Sequence, residues 1–425
     1  MSQKILQGRK IVAGLDIGNG YTKCSINGEK VFAIPSSVAH VTHTHDMKAA
    51  DIGGTVLDIF NEMDARFDSP TVKSVNTRRF FGNRGLMSGK PMQEYDVIAH
   101  VSKADNDLSG ILALGTLAGR SLQYWYEDNG TLPDDMVNVQ VDMALALPIS
   151  EYRKHRYAYA KAFLEGDHYV TLENFDKPVR FRFLFDSVHV FAEGESAQYG
   201  MLSRGEDFMT AMLEDMRKLG DPVEGITAAD VMRAKNTIGI DIGEGTTNFP
   251  VFQSGRFNPD ASMTCPNGYG SILTRSMDRL RDDGYSFSTR KLVTEFLIQE
   301  PTPMKKAMYN KVSQVIAEES MAFAEEVNIE FVKLLNRVGT TNEAVFVYGG
   351  GATELQSILH PMLMDTVRSF GQDGVPVLYM DSRYSRLLNS VGLYEAARVA
   401  SEKSQTAVPK KPEVNARSLA MKAAG

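Results

Sequence analysis

Residues 11–23 read Ile-Val-Ala-Gly-Leu-Asp-Ile-Gly-Asn-Gly-Tyr-Thr-Lys, and residues 238–248 read Ile-Gly-Ile-Asp-Ile-Gly-Glu-Gly-Thr-Thr-Asn. Each stretch is an apolar run ending in Asp, then Gly-x-Gly, then a turn bearing hydroxyls, and Asp16 recurs as Asp241, 225 positions on. A duplicated strand–turn unit implies two similar domains gripping one ligand. A strand ending in Asp-Ile-Gly leaves a carboxylate at the carboxyl edge of a sheet, where ligands of α/β folds collect. The glycines let backbone N–H groups approach phosphate oxygens. Thr22, Thr246 and Thr247 add hydroxyl donors, and Lys23 adds a point charge. Asp16 and Asp241 then face each other across a cleft and hold Mg²⁺ through water, because Mg²⁺ dehydrates reluctantly.

The rest of the composition is compatible with that reading. A chain of 425 residues is too long for one small core and suits two domains. A net charge of −7 argues against a bare nucleic-acid binder. Met1 to Lys10 lacks the apolar core of a signal peptide, and no window approaches the length of a membrane span. Cys24 and Cys265 form no metal-ligand pattern and fit a reducing cytoplasm. His43-x-His45, close to His40, has no further ligand nearby and reads as surface loop.

Strand and helix patterns alternate along the chain, which predicts an α/β protein with two sheets. Residues 107–124, 151–164, 195–204, 208–219, 270–283, 305–335 and 385–400 have helical spacing. Strands are expected at 138–147, 169–172, 179–185, 188–191, 237–242, 248–252, 344–348 and 377–380. From about residue 40 to 92 the pattern weakens. Residues 401–425 carry net +3 without apolar periodicity and read as a mobile tail.

Two further elements carry chemistry. The buried strand ending at Tyr348 runs into Gly349-Gly350-Gly351-Ala352, which lets backbone lie against ribose or phosphate. The strand Val188-His-Val-Phe-Ala is followed by Glu193-Gly-Glu195-Ser-Ala-Gln198. A carboxylate at that strand–helix junction can orient or deprotonate a water attacking a γ-phosphate. Glu193 is the first choice and Glu195 the second; either could instead be a first-turn acid favoured by the helix dipole.

In this order, the four elements resemble the actin/Hsp70/sugar-kinase ATPase superfamily. Within it, Leu145-Ala-Leu-Pro-Ile-Ser-Glu-Tyr152 and the Val-x-Val-x-x-Glu of Val188 to Glu193 are similar to the ParM/StbA family of plasmid-segregating actin-like ATPases. The resemblance implies an actin-like fold, with two ribonuclease-H-like α/β domains flanking a nucleotide cleft. It implies domain I over residues 1–190, with a variable subdomain at about 30–105, and domain II over 191–376. A strand and helix at 377–400 then pack back on domain I, followed by the tail. It assigns Asp16, Gly18, Asn19, Gly20, Tyr21, Thr22 and Lys23 to the first phosphate loop. Asp241, Gly243, Glu244, Gly245, Thr246, Thr247 and Asn248 form the second, Gly349 to Ala352 the nucleotide-holding turn, and Glu193 the water-positioning residue. It further implies ATP or GTP with Mg²⁺ as cofactors and dynamic homopolymeric filaments in the cytoplasm. The implied partner is a ParR-type adaptor on plasmid centromere DNA, with no direct nucleic-acid or membrane binding.

Glu244 and Asn248 depart from the Asp-Leu/Ile-Gly-Gly-Gly-Thr-Thr-Asp commonly found in the second loop. A glutamate there repels a triphosphate unless it points outward or helps bind the metal. The alternatives are a small-molecule kinase or phosphohydrolase of the same superfamily and a membrane-associated cytoskeletal actin homologue. A chaperone-type ATPase would need a substrate-binding domain beyond residue 425. The kinase would normally carry an Asp base and a sugar-binding insertion, and the membrane-associated homologue a bulky amphipathic anchor.

Overall fold

The computed structural model describes residues 5–42, 48–74, 77–95, 102–218, 221, 223–380 and 382–407. His43, His45 and the stretch after residue 407 lie outside them.

Two mixed sheets repeat one plan. In the first, strand Ile11–Ile17 pairs antiparallel with Tyr21–Ile26, which pairs with Phe32–Pro35. On its other side Ile11–Ile17 runs parallel to Val137–Leu147, which runs parallel to Val179–Ala192. In the second, Thr237–Ile242 pairs antiparallel with Thr247–Phe249 and Val251–Gln253, and parallel with Ala344–Tyr348. Ala344–Tyr348 in turn runs parallel to Val377–Tyr379. The hairpin registers coincide: Asp16 faces Lys23 and Ile17 faces Thr22, as Asp241 faces Asn248 and Ile242 faces Thr247. The repeat read in the sequence is thus a repeat of topology.

Each sheet is backed by helices whose apolar residues recur at helical spacing. Helix Asp107–Asn129 starts where the Asn106 side chain accepts from Leu108 N at 3.0 Å and stops at Gly130, whose φ is 69°. It buries Leu108, Ile111, Leu112, Leu114, Leu117 and Leu122 completely under the first sheet. Each such side chain stabilises the core by about 2 kcal/mol. Helix Lys306–Val338 does the same for the second sheet with Phe323, Val327, Phe331, Leu334 and Leu335.

Three expectations change. Residues 179–191 form one strand, Val179–Ala192, rather than two, because the chain absorbs the break at Asp186 as a register irregularity between Phe185 and Ser187. Residues 247–253 form two strands rather than one, because Pro250 cannot donate to the ladder. The stretch around residues 40 to 92, where the sequence pattern weakens, nonetheless contains regular structure. It supplies strands Val38–His40, Asp64–Asp68, Arg78–Phe81 and Met92–Gln93, which extend the first sheet beyond His168–Leu172. Its alternation is obscured by buried charge: the Arg78 guanidinium grips Asp64 at 2.8 and 2.7 Å, with Arg84 at 3.1 Å. Finally, the closing helix is Leu388–Ala407, running past the expected end at residue 400. Ser401 is buried there and helps hold the carboxyl of Asp142, in the first sheet, below the usual carboxylate range.

That closing helix joins the two halves. It packs on strand Ile11–Ile17 at Gly14 and crosses helix Glu195–Ser203 with Gly392 against Gly200. Among the described residues no helix is long and apolar enough to cross a membrane.

Candidate functional site

Both hairpin turns open onto one cleft, a cavity of about 630 Å³ lined from both sheets, within the range of small-molecule sites. Each turn closes the same way. Gly18 N donates to Tyr21 O at 3.1 Å, and Gly243 N donates to Thr246 O at 2.9 Å. Asp16, Gly18, Asn19, Gly20, Tyr21 and Lys23 line the cleft on one side, and Asp241, Gly243, Glu244, Gly245, Thr246 and Asn248 line it on the other. Gly349, Gly350 and Gly351 form its floor. Gly349 has a φ of 104°, and a Cβ there would lie 2.6 Å from Asp241 Oδ1, so only glycine lets the chain pass this carboxylate.

Three expected residues are not on the cleft wall. Thr22 is fully buried, its hydroxyl 2.9 Å from Ser36 Oγ. Thr247 is equally buried and donates to Asn267 O at 2.9 Å. Ala352 is buried at the start of helix Ala352–Ser369. All three shape the turns from behind.

The two glutamates after Ala192 separate clearly. Glu193 reaches the cleft; Glu195 turns back and accepts from Ala192 N at 3.1 Å. Burial pushes the Glu195 carboxyl up to about 7. Glu193 is held by two donors from opposite sides: Lys103 Nζ at 2.6 Å from Oε1 and Asn248 Nδ2 at 2.9 Å from Oε2. Asn248 Oδ1 accepts from Thr264 Oγ1 at 2.8 Å, so its amide bridges a hydroxyl to a carboxylate. An aspartate at 248 would set carboxylate against carboxylate; asparagine is the residue this contact requires.

Charge in the cleft is dense. Lys23 Nζ lies 3.1 Å from Asp16 Oδ2. Asp241 accepts from Asn389 Nδ2 at 2.8 Å, yet burial, with repulsion from Asp16 and Glu193, pushes its carboxyl up to about 7. Glu244 pairs with Arg290 at 3.1 Å and leans across the cleft, where a Cβ on Gly20 would lie 1.7 Å from its Oε2. The charge of this glutamate is offset by Arg290.

Sequence reading missed Lys103, Arg290 and Asn389, along with Tyr269, Leu273, Ser385 and Arg386 around the outer cavity. Asn389 connects the halves: its Oδ1 accepts from Gly194 N and Ser196 Oγ while its Nδ2 holds Asp241.

The fold is actin-like, and residues 14–195 match a family model described as actin like proteins N terminal domain. The solved structures it resembles span nearly the whole fold. The actin-like protein Alp7A aligns with a TM-score of 0.62 at 14% identity, over 94% of this chain and 98% of that one. An archaeal actin homolog, Ta0583, aligns with a TM-score of 0.59 at 15% identity, over 92% and 99%. Bacillus thuringiensis ParM with ATP aligns with a TM-score of 0.57 at 16% identity, also over 92% and 99%. No curated protein sequence matches the chain.

Proposed function

We propose that this chain is a nucleotide-hydrolysing, filament-forming actin-like ATPase of the ParM type. The observation that carries the reading is the pair of equivalent hairpin turns, Asp16–Lys23 and Asp241–Asn248, facing one cavity with Glu193 between them. Backbone amides of both turns cradle the phosphates, with Lys23 and Thr246 as side-chain donors. The base and ribose lie over Gly349 to Gly351, among Tyr269, Leu273 and Arg386. ATP is the expected ligand, as in the Bacillus thuringiensis ParM complex, with GTP as an alternative.

Among the described residues no cluster of three or more His, Cys, Asp or Glu could hold a metal unaided. Asp16 and Asp241 nonetheless fit Mg²⁺. They are buried carboxylates, and repulsion from Asp16 contributes to holding Asp241 up near 7, a strain that a cation relieves. Bound there, the ion would neutralise charge building on the leaving phosphate. Glu193 accepts a proton-bearing water and aims it at the γ-phosphate; its hold from Lys103 and Asn248 keeps it oriented.

Polymerisation, plasmid segregation and a ParR-type adaptor on centromere DNA belong to the same reading, supported by the likeness in fold to ParM and Alp7A and by the two segments that resemble the ParM/StbA family. The chain then works in the cytoplasm without membrane contact. Right-angle light scattering with Mg²⁺ and ATP, checked by electron microscopy and phosphate release, tests this. A rise that decays as phosphate appears is expected. Phosphate release with no filaments under any nucleotide would replace this reading with a soluble kinase or phosphohydrolase.

A further inference from the structure

The Leu-Pro-Ile-Ser-Glu-Tyr segment has a physical role that the cleft alone does not reveal. Pro148 starts helix Ile149–Leu164, which places Glu151 in its first turn. Glu151 Oε2 accepts from Ser102 Oγ at 2.7 Å and from Ala104 N at 3.4 Å, the two residues flanking Lys103. The same turn is braced from within, where Ser109 Oγ donates to Lys103 O at 2.7 Å. Lys103 is therefore delivered to the cleft at a fixed point, with its Nζ on Glu193 and 5.9 Å from the Tyr95 ring centroid.

The circuit closes through the backbone. Glu193 N donates to Leu147 O at 2.7 Å, the residue immediately before Pro148. Main chain and side chain of Glu193 are thus both referenced to the same corner of the first sheet, one directly and one through Glu151 and Lys103. The lysine is buried, and although burial opposes its charge, Glu193 and then Asp16 outweigh that and raise its pKa.

We propose that Lys103 and Glu151 are positioning residues that set the carboxylate of Glu193 for its water, Glu151 by fixing the turn and Lys103 by fixing one oxygen. This rests on the reading of Glu193 given above. A carboxylate has about four lone-pair sites, so with one donor on each oxygen it still has room for a water. A displacement of about 1 Å in such a group can cost 10²-fold in rate.

The test is steady-state phosphate release from Mg-ATP by the full chain carrying Glu193→Gln, Lys103→Met, Glu151→Ala and the Lys103→Met/Glu193→Gln pair. Glu193→Gln comes first: a wild-type rate would remove the reading of Glu193 itself, whatever Lys103 does. Given a slow Glu193→Gln, Lys103→Met should lower kcat by about 10- to 100-fold with KM little changed. It should add nothing in the Glu193→Gln background, because the two act as one unit. Glu151→Ala, which removes the acceptor for Ser102 Oγ and Ala104 N and leaves every cleft side chain in place, should lower kcat in the same sense. Because it touches no buried charge in the cleft, it carries the test if Lys103→Met does not fold. A raised KM with unchanged kcat in Lys103→Met would make Lys103 a phosphate-binding lysine and overturn the proposal, as would full additivity in the pair. An unchanged kcat in Glu151→Ala would remove Glu151 from it.

Discussion

Replacing Gly392 with alanine tests how closely the two halves are locked at the closing helix. A Cβ on Gly392 would lie 1.7 Å from Ser196 O, 2.7 Å from Ser196 C and 2.8 Å from Gly200 N, all backbone atoms of helix Glu195–Ser203. Reaching the ~3.3 Å of an ordinary C–H···O contact requires the helices to part by about 1.6 Å. Retreat is blocked on the far side, where a Cβ on Gly14 would lie only 2.1 Å from Tyr394 N. Overpacking of this kind costs about 1–3 kcal/mol, and the lack of slack places it near 3. Alanine's better helix propensity returns about 1 kcal/mol, leaving a net loss of about 2 kcal/mol. Urea unfolding should show this as a lower midpoint. Nucleotide titration should show weaker binding, because Asn389 sits one turn away and holds Asp241. A midpoint equal to or above that of the unsubstituted chain would mean the crossing has room, and the argument would fail.

Two other expectations are quicker to check. Glu244→Gln should tighten binding of a fluorescent ATP analogue a few-fold, consistent with about 1 kcal/mol for a partly exposed charge near phosphate; unchanged or weaker binding would show that Glu244 does not oppose the triphosphate. For nucleotide-free protein, stability should fall as pH rises from about 4 to 7. Burial holds Asp241 and Glu195 up at about 7, so the folded state binds more protons than the unfolded state across that window. Asp241→Asn should flatten the slope seen by urea unfolding at pH 5 and pH 7.5, and an unaltered slope would place the effect elsewhere.

The two turns were legible because their chemistry is local. A hairpin that offers amides to an anion needs its glycines, and a carboxylate at a strand end needs no partner to be recognised. The same holds for Gly349 to Gly351. Lys103, Arg290 and Asn389 were not legible, because each is an ordinary polar residue on its own element and acquires meaning only where that element lands. Thr22 and Thr247 show the converse, since strand alternation turns their hydroxyls away from the cleft that their motifs suggested. The strands between residues 40 and 92 were hidden by Arg78, Arg79 and Asp64, charges that the fold buries and that a hydropathy pattern counts as surface. Glu244 and Asn248 looked like losses in the sequence. In the fold each has a specific partner, Arg290 for the first and Glu193 for the second.

The closing helix has one further property. Asn389, near its start, touches Asp241 in the cleft, and Ser401, twelve residues on, helps lower the Asp142 carboxyl of the first sheet. At 1.5 Å per residue these contacts stand about 18 Å apart on one stiff rod. Asp142 also lies 2.7 Å from Lys10 and accepts from Ser187. A tilt imposed on Asn389 from the cleft would be felt, lever-fashion, beside a buried acid of the first sheet. The chain carries a pointer whose one end rests on the cleft carboxylate Asp241 and whose other end is seated beside the buried Asp142.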